Sequence, residues 1–288
     1  MNNSLPKSIK LLPCYEAPSS WWQHVPIAHW LVETLKPKVI VELGTHYGVS
    51  FFSFCEAARN YSQDTFIYAV DTWEGDKQAG YYDQTVYDKV KGHQEMFHKE
   101  RSRLLKTTFS EASKHFKDKS IDIIHIDGLH TYEAVKQDYE IWRPKLKEGG
   151  SILFHDWNVR EGEFGVWRLW DEIKTDKSMK CLQVPNGHGL GIATMSDETP
   201  NWHLRFSEIS DILKSKGVIL EQLSEMKLSN TVVIEELVEA KKEVVNMKMV
   251  VNELKKHAEE QEKAIKYLRG GKVLAIIRKI MHILKKKR

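Results

Sequence analysis

Residues 39–50 read VIVELGTHYGVS. Val39 to Leu43 (VIVEL) is apolar and rich in β-branched side chains, which fits a buried strand. Gly44 and Gly48 follow, and they let the backbone turn tightly and come close to a ligand without a Cβ in the way. A helix then opens, and its first N–H groups have no partners of their own. The glycine spacing is not GxGxxG, which disfavours a dinucleotide site. Glu42 stands where a carboxylate can face a cationic ligand.

Outward from this turn, short apolar runs alternate with amphipathic stretches. Phe66 to Val70, Ile121 to Ile126, Ser151 to Phe154, Cys181 to Val184 and Leu190 to Met195 read as strands. Tyr132 to Leu146 and Val166 to Lys174 read as helices. The alternation predicts an α/β fold, a parallel sheet covered on both faces. Ligands of such sheets sit beyond the carboxyl ends of the strands. Asp71 ends the second strand, where an acid can take both hydroxyls of a ribose. Asp127 ends a later strand, and His155 and Asp156 end the one after it. His130 lies three residues past Asp127, at the start of the next helix. Each of these alone reads as a polar strand end or a helix cap. Two acids and two imidazoles in one cleft suit metal binding, general-base work, or both. Residues 73–87 (WEGDKQAGYYDQTVY) are polar and aromatic and can form a lid. Trp73, Tyr81 and Tyr82 read equally as sugar-stacking rings and as packing.

The run VELGTHYGVS, then VDTW, IDIIHIDGLHTYEAVKQDYEIWRPKLKEGG and SILFHD, resembles class I S-adenosylmethionine-dependent methyltransferases. More narrowly it looks like the bacterial sugar and polysaccharide O-methyltransferases. The resemblance covers about residues 20 to 195 and implies a Rossmann-like fold. It implies that Glu42 lies near the methionine amino group, that Gly44 and Gly48 line the cofactor, and that Asp71 binds the ribose. Thr72, Trp73, Ser110 and Glu111 fall where the adenosine pocket is usually completed. His130 matches the base of the sugar methyltransferases, beside Asp127. Related enzymes bind Mg²⁺ with acids at these strand ends, and Asp127 and Asp156 match that pattern. His155 departs from it, since an acid is more usual there. A nitrogen ligand suits Mn²⁺ better than Mg²⁺, and a metal-free site with His155 as a hydrogen-bonding neighbour is the other reading.

Beyond Trp202 the texture changes, with no further tryptophan or proline. A heptad runs with position a at Ile209, Lys216, Leu223, Asn230, Leu237, Val244, Val251, Ala258 and Ile265. Position d falls at Ile212, Ile219, Met226, Val233, Ala240, Met247, Leu254, Gln261 and Leu268, and fifteen of the eighteen positions are apolar. That repeat predicts a coiled coil rather than a single helix packed on the domain. Asn230 at an a position favours a parallel dimer, with a trimer as the alternative. Gly217 weakens the first turns. After Gly270–Gly271 comes KVLAIIRKIMHILKKKR. Val273, Ile276, Ile277, Ile280 and Leu284 share a face, flanked by Lys272, Arg278, Lys279, Lys285, Lys286, Lys287 and Arg288. An apolar stripe with a basic flank predicts a helix lying on an anionic membrane surface, and a nucleic-acid tail is disfavoured.

The expected divisions are a methyltransferase domain over 1–202, a coiled coil over 203–269 and a basic amphipathic helix over 270–288. The formal net charge of +3 singles out no partner class. Cys14, Cys55 and Cys181 form no CxxC pair and read as reduced thiols. The first twenty residues lack the apolar core of a signal peptide. These features predict a cytoplasmic protein, peripheral at the inner face of the plasma membrane. The function expected is methylation of a sugar hydroxyl on a lipid-linked or growing cell-surface glycan. A small-molecule O-methyltransferase and a non-catalytic coiled-coil scaffold are the competing readings.

Overall fold

The computed structural model describes residues 4–269 and 271–286. Contacts divide the chain into two compact units, Met1–Leu228 and Ser229–Arg288.

The first unit is built on a sheet. Its elements are α1 (Val25–Leu35), β1 (Val39–Leu43), α2 (Val49–Tyr61), β2 (Phe66–Asp71), the short strands β3 (Gly75–Asp76) and β4 (Gly80–Tyr81), and α3 (Gln84–Phe97). They continue with β5 (Ser102–Lys106), α4 (Phe109–Ser113), β6 (Ile121–Ile126), α5 (Tyr132–Trp142), β7 (Leu146–His155), α6 (Val166–Ile173), β8 (Met179–Val184) and β9 (Leu190–Met195). The seven-stranded sheet has the order β5-β2-β1-β6-β7-β9-β8. It is parallel from β5 to β7, whereas β9 runs antiparallel to both β7 and β8. The expected parallel sheet therefore holds for five strands and gives way at one edge, where a tight turn at Gly187–Gly189 joins β8 to β9. Antiparallel neighbours need only such a turn and no crossover helix. β3 and β4 pair as a separate hairpin.

Side chains alternate across the sheet. Ile40, Ile67, Ile123 and Leu153 pack against Trp30, Phe51 and Phe54 of α1 and α2. Val41, Ile124, Ile152 and Phe154 pack on the other face, with Trp142 of α5 and Trp170 of α6. Both faces are covered, which is why the strands read as near-continuous apolar runs. This is a Rossmann-like arrangement.

Helix α7 (Asn201–Arg269) begins in this unit. Phe206, Ile209, Leu213 and Leu220 are buried in the cluster that covers α1 and α2. Their spacing of three, four and seven marks one helix face. Gly217 sits where a Cβ would lie 2.1 Å from the Gln23 carbonyl oxygen, so a glycine lets the helix touch that backbone. The Lys216 ammonium donates to the carbonyls of Ser8 (3.3 Å) and Leu11 (2.5 Å). Arg205 donates to the Ser4 carbonyl, and Lys227 pairs with Glu16. Residues 203–228, read from the heptad as the start of the coil, thus pack on α1, α2 and the N-terminal segment of the first unit.

The second unit contains the rest of α7 and α8 (Lys272–Lys285). Gly270, Lys287 and Arg288 lie outside the described residues, as do the side chains of Leu268, Lys272, Val273 and Leu284. Among the described residues, no helix is long and apolar enough to cross a membrane.

Candidate active site

The carboxyl ends of β1, β2, β6 and β7 border a cleft of about 610 Å³, a size that suits a small-molecule ligand. Its floor is the glycine turn. Gly44 (φ 89°) leaves no room for a side chain, since a Cβ would stand 2.1 Å from the Asp127 carbonyl oxygen. Gly48 (φ 85°) caps α2 in the left-handed conformation. Both oxygens of Asp71 hold this turn in place. Oδ2 accepts from the N–H groups of Thr45 (2.8 Å) and His46 (2.9 Å), and Oδ1 accepts from Trp73 N–H (2.7 Å). Asp71 and Thr72 line the cleft beside Thr108, Phe109 and Leu129.

Several expected cofactor residues lie elsewhere. Trp73 is buried, with Nε1 donating to the His46 carbonyl and its ring edge-on to Tyr87. It is therefore a packing residue and not a free stacking surface. Ser110 and Glu111 are exposed on α4, with Glu111 paired to Lys114, and neither reaches the cleft wall. Thr108 and Phe109, just before them, do.

Glu42 is fully buried behind the turn. Its Oε2 lies 2.9 Å from Nδ1 of His125, a buried residue that sequence reading passed over. Trp21 Nε1, which only donates, lies 3.2 Å from His125 Nε2. That contact leaves Nδ1 to donate to Glu42. Burial pushes the Glu42 pKa up, opposed by His125 and Ser50. Glu42 Oε1 makes no well-aligned hydrogen bond among the described residues.

At the other end of the cleft, Asp127, His130 and Asp156 converge. His130 Nε2 is 2.9 Å from Asp156 Oδ2 and 3.3 Å from Asp127 Oδ1. His155 Nδ1 is 3.2 Å from both carboxylates, but the ring is buried beneath them, and Nε2 has no partner. His24 lies edge-on to that ring and binds the Gly187 carbonyl at 2.8 Å. Burial and the nearby charge of His155 hold His24 neutral, with a pKa lowered to about 3. His188 Nδ1 approaches Asp156 Oδ1 to 3.3 Å from the open side. Phe164 stacks on the His130 ring at 5.1 Å.

Charge sets the proton positions. Burial alone would lower the pKa of His130, but Asp127 and Asp156 overcome it and raise it to about 9. The same contest raises His155 to about 10, chiefly through the Asp127 charge. Burial penalises Asp127 and Asp156 as well, yet the imidazoles hold both below the usual carboxylate range. Proton removal near neutrality asks for a base with a pKa near 7, and His130 sits above that while both carboxylates are unscreened.

The donor set fits a divalent cation. One ligand atom from each of Asp127, His130 and Asp156 falls within 4.8 Å of the others. Asp156 Oδ1 is buried and, among the described residues, has only the His188 ring near it, with no well-aligned hydrogen bond. The two carboxylates would hold the ion and leave His130 Nε2 beside it free to act as a base, with His155 behind them in place of the ligand role expected for it. Such an ion would screen the carboxylates, draw the His130 pKa back down and polarise an acceptor hydroxyl.

The hairpin β3–β4 hangs over this end. Asp76 Oδ1 accepts from the N–H groups of Gln78 and Ala79 and shapes the turn. Gln78 Oε1 then accepts from His130 N–H (2.8 Å) and lies 3.1 Å from His130 Nδ1. Tyr82 lines the cleft and stacks on His46 at 4.9 Å, while Tyr81 is 78% exposed. Backbone strain collects here too. His46 (φ 50°), Asp156 (φ 59°) and His188 (φ 65°) all line the cleft in the left-handed region that non-glycine residues avoid.

Residues 41–157 match the family model described as a methyltransferase domain. The sheet order and the glycine turn agree with that description over the matched residues. The uncharacterized protein y4gI of Sinorhizobium fredii is 45% identical over 178 residues. That match covers 62% of this chain and 19% of y4gI, so the chain spans about a fifth of that relative's length. Among solved structures, a Corynebacterium glutamicum protein aligns with TM-score 0.49 and 15% identity, covering 64% of this chain and 84% of its own. A Podospora anserina methyltransferase solved with SAH bound aligns with TM-score 0.48 and 13% identity, covering 67% and 89%.

Proposed function

We propose that this chain is an S-adenosylmethionine-dependent O-methyltransferase acting on a sugar hydroxyl of a lipid-linked or growing cell-surface glycan. The observation that carries the chemistry is one cleft with a glycine turn at one end and the Asp127–His130–Asp156 group at the other. S-adenosylmethionine supplies a sulfonium-activated, electrophilic methyl group. Gly44 and Gly48 give it close access to the backbone, Thr72 and Thr108 offer hydroxyls, and Phe109 and Leu129 offer apolar surface to its base. Asp71 fixes the turn on which all of this rests. His130, in its neutral form, takes the proton that the acceptor hydroxyl gives up. Gln78 holds the other side of its ring. The hairpin keeps water from the reacting oxygen, and Tyr82 presents a ring to a sugar face.

A glycan held at a membrane is supported by α8, where Ile276, Ile277, Ile280 and Ile283 are exposed beside Arg278, Lys279, Lys285 and Lys286. That combination suits a helix resting on anionic lipid. Incubation with methyl-labelled S-adenosylmethionine and two acceptor pools, lipid-linked oligosaccharides and small phenolic or catechol alcohols, tests the reading. Label in the oligosaccharide supports it, and label confined to the small alcohols overturns the glycan assignment.

A further inference from the structure

We infer that the part of α7 beyond residue 228 pairs with the same residues of a second copy of this chain, as a parallel, in-register, two-stranded coil. The inference is independent of the acceptor proposed above.

The seam is bare in the single chain. Val233, Leu237, Val244, Met247, Val251 and Leu254 are each about half exposed or more, at 46–63%. They occupy a and d positions of one heptad repeat, with Ala240 at the d position between Leu237 and Val244. From Asn230 to Ile265 that stripe is roughly 54 Å long at 1.5 Å per residue. A stripe of this length stays in water only at considerable cost, and a matching helix removes it.

The flanking charges choose the occupant and its direction. Position g carries Glu236 and Glu243, and position e carries Lys241, Lys248 and Lys255. In a parallel pair, each g side chain reaches the e side chain five residues further along the other helix. That sets Glu236 against the second copy's Lys241, and Glu243 against the second copy's Lys248. His257 meets the second copy's Glu262 by the same rule. Within the chain, Glu236, Lys241, Glu243 and Lys248 have no ion-pair partner among the described residues. An antiparallel pair would bring g to g and e to e, setting glutamate against glutamate and lysine against lysine. The sequence therefore favours its own parallel copy and disfavours its own antiparallel copy. Two core positions agree. Asn230 faces its own counterpart only in a parallel register, where the two amides can bond each other. Val244 and Val251 at a, with Leu254 at d, are the choices that favour two strands.

The test uses the full chain with Cys14→Ser as background, which removes the exposed native thiol. Sedimentation equilibrium at micromolar concentration should give a dimer. Leu237→Cys and Leu254→Cys, made separately, should each form an interchain disulfide on mild oxidation, because only a parallel in-register coil aligns both positions with themselves. The variant E236K/E243K should raise the dimer dissociation constant at least about tenfold. Adding K241E/K248E to the same chain should restore it. An unchanged thermal transition of the methyltransferase unit shows that each variant is folded. A monomer, a trimer, a disulfide at only one of the two positions, or indifference to the charge reversals overturns the inference.

Discussion

Both carboxylate oxygens of Asp71 are taken by main-chain N–H groups, which makes this residue a support of the glycine turn before it is anything else. Asp71→Asn places an amide NH₂ against at least one of those donors. The expected result is a loss of about 1–3 kcal/mol of folding stability, with a parallel loss of S-adenosylmethionine affinity. Urea denaturation and calorimetry measure the two, and intact stability with weakened binding would assign Asp71 to the ligand alone. The acid–imidazole group makes a second prediction. His130 and His155 have folded pKa values of about 9 and about 10, above the ordinary value of 6.5. A raised histidine pKa stabilises the fold fully below the unfolded value, and that stability is lost as pH rises through the folded value. In chelator-treated protein, stability should therefore decline from about pH 6.5 up to about 9 to 10 and level off above that, and the decline should shrink in His155→Gln. Chemical denaturation across that range checks it, and a flat profile would show that the imidazoles are not held as cations.

At the scale of elements, the hairpin β3–β4 and the start of α5 are joined by one side chain. Gln78→Ala frees His130 Nδ1 and unpins the hairpin, so turnover should fall about tenfold or more while cofactor affinity changes little. Single-turnover rates and calorimetry separate the two. Gln78→Glu retains an acceptor and should recover part of the rate. An unchanged rate in Gln78→Ala would remove the hairpin from the chemistry. The strands that carry the site were legible because each is an apolar run ending in an acid, and Asp71, Asp127 and Asp156 all fell where the sheet put them. β5 was not, since SRLLK is short, ends in charge and lies at the sheet edge. His125 was hidden inside the apolar run IDIIHI, where strand alternation marks its side chain as core. Gln78 and His188 sit on loops whose path depends on distant partners. The flanking glycines of His188 were the one local sign, because Gly187 and Gly189 announce a turn of positive φ. Trp73 stayed open between stacking and packing, because a strand-end aromatic looks the same whether it faces a ligand or the core, and its burial decides for packing.

For the whole molecule, the boundary that matters is the one near Leu228. The heptad runs from Ile209 past Leu228 with Lys216 as its one polar core position before Asn230, so spacing alone does not separate the stretch that packs on the domain from the stretch beyond it. Burial shows instead which face packs: Phe206, Ile209, Leu213 and Leu220 are covered, while Ile212, Ile219, Leu223 and Met226 of the a/d seam are exposed, as are Val233 and Leu237 beyond Leu228. A chain ending at Trp202 uncovers Trp30 and loses the contacts of Phe206, Ile209 and Leu213. It should aggregate or melt well below the intact protein, whereas a chain ending at Leu228 should keep the full transition and bind S-adenosylmethionine. Differential scanning calorimetry of the two decides it, and equal transitions would mean that α7 adds nothing to the fold.

The N-terminal segment lies between that helix and the sheet. Ser19, Ser20 and Trp21 form part of the cleft wall, and Trp21 reaches His125. Ser4, Ser8, Leu11 and Glu16 are fastened by Arg205, Lys216 and Lys227 of α7. During synthesis these partners leave the ribosome far apart in time, the wall first and its fastening last. A nascent chain therefore holds a sheet and a glycine turn long before it holds a finished cleft. Domains generally fold as units during synthesis, and here the unit is incomplete until α7 has emerged. The finished cleft is then found only in chains that already carry the helix leading to the second unit.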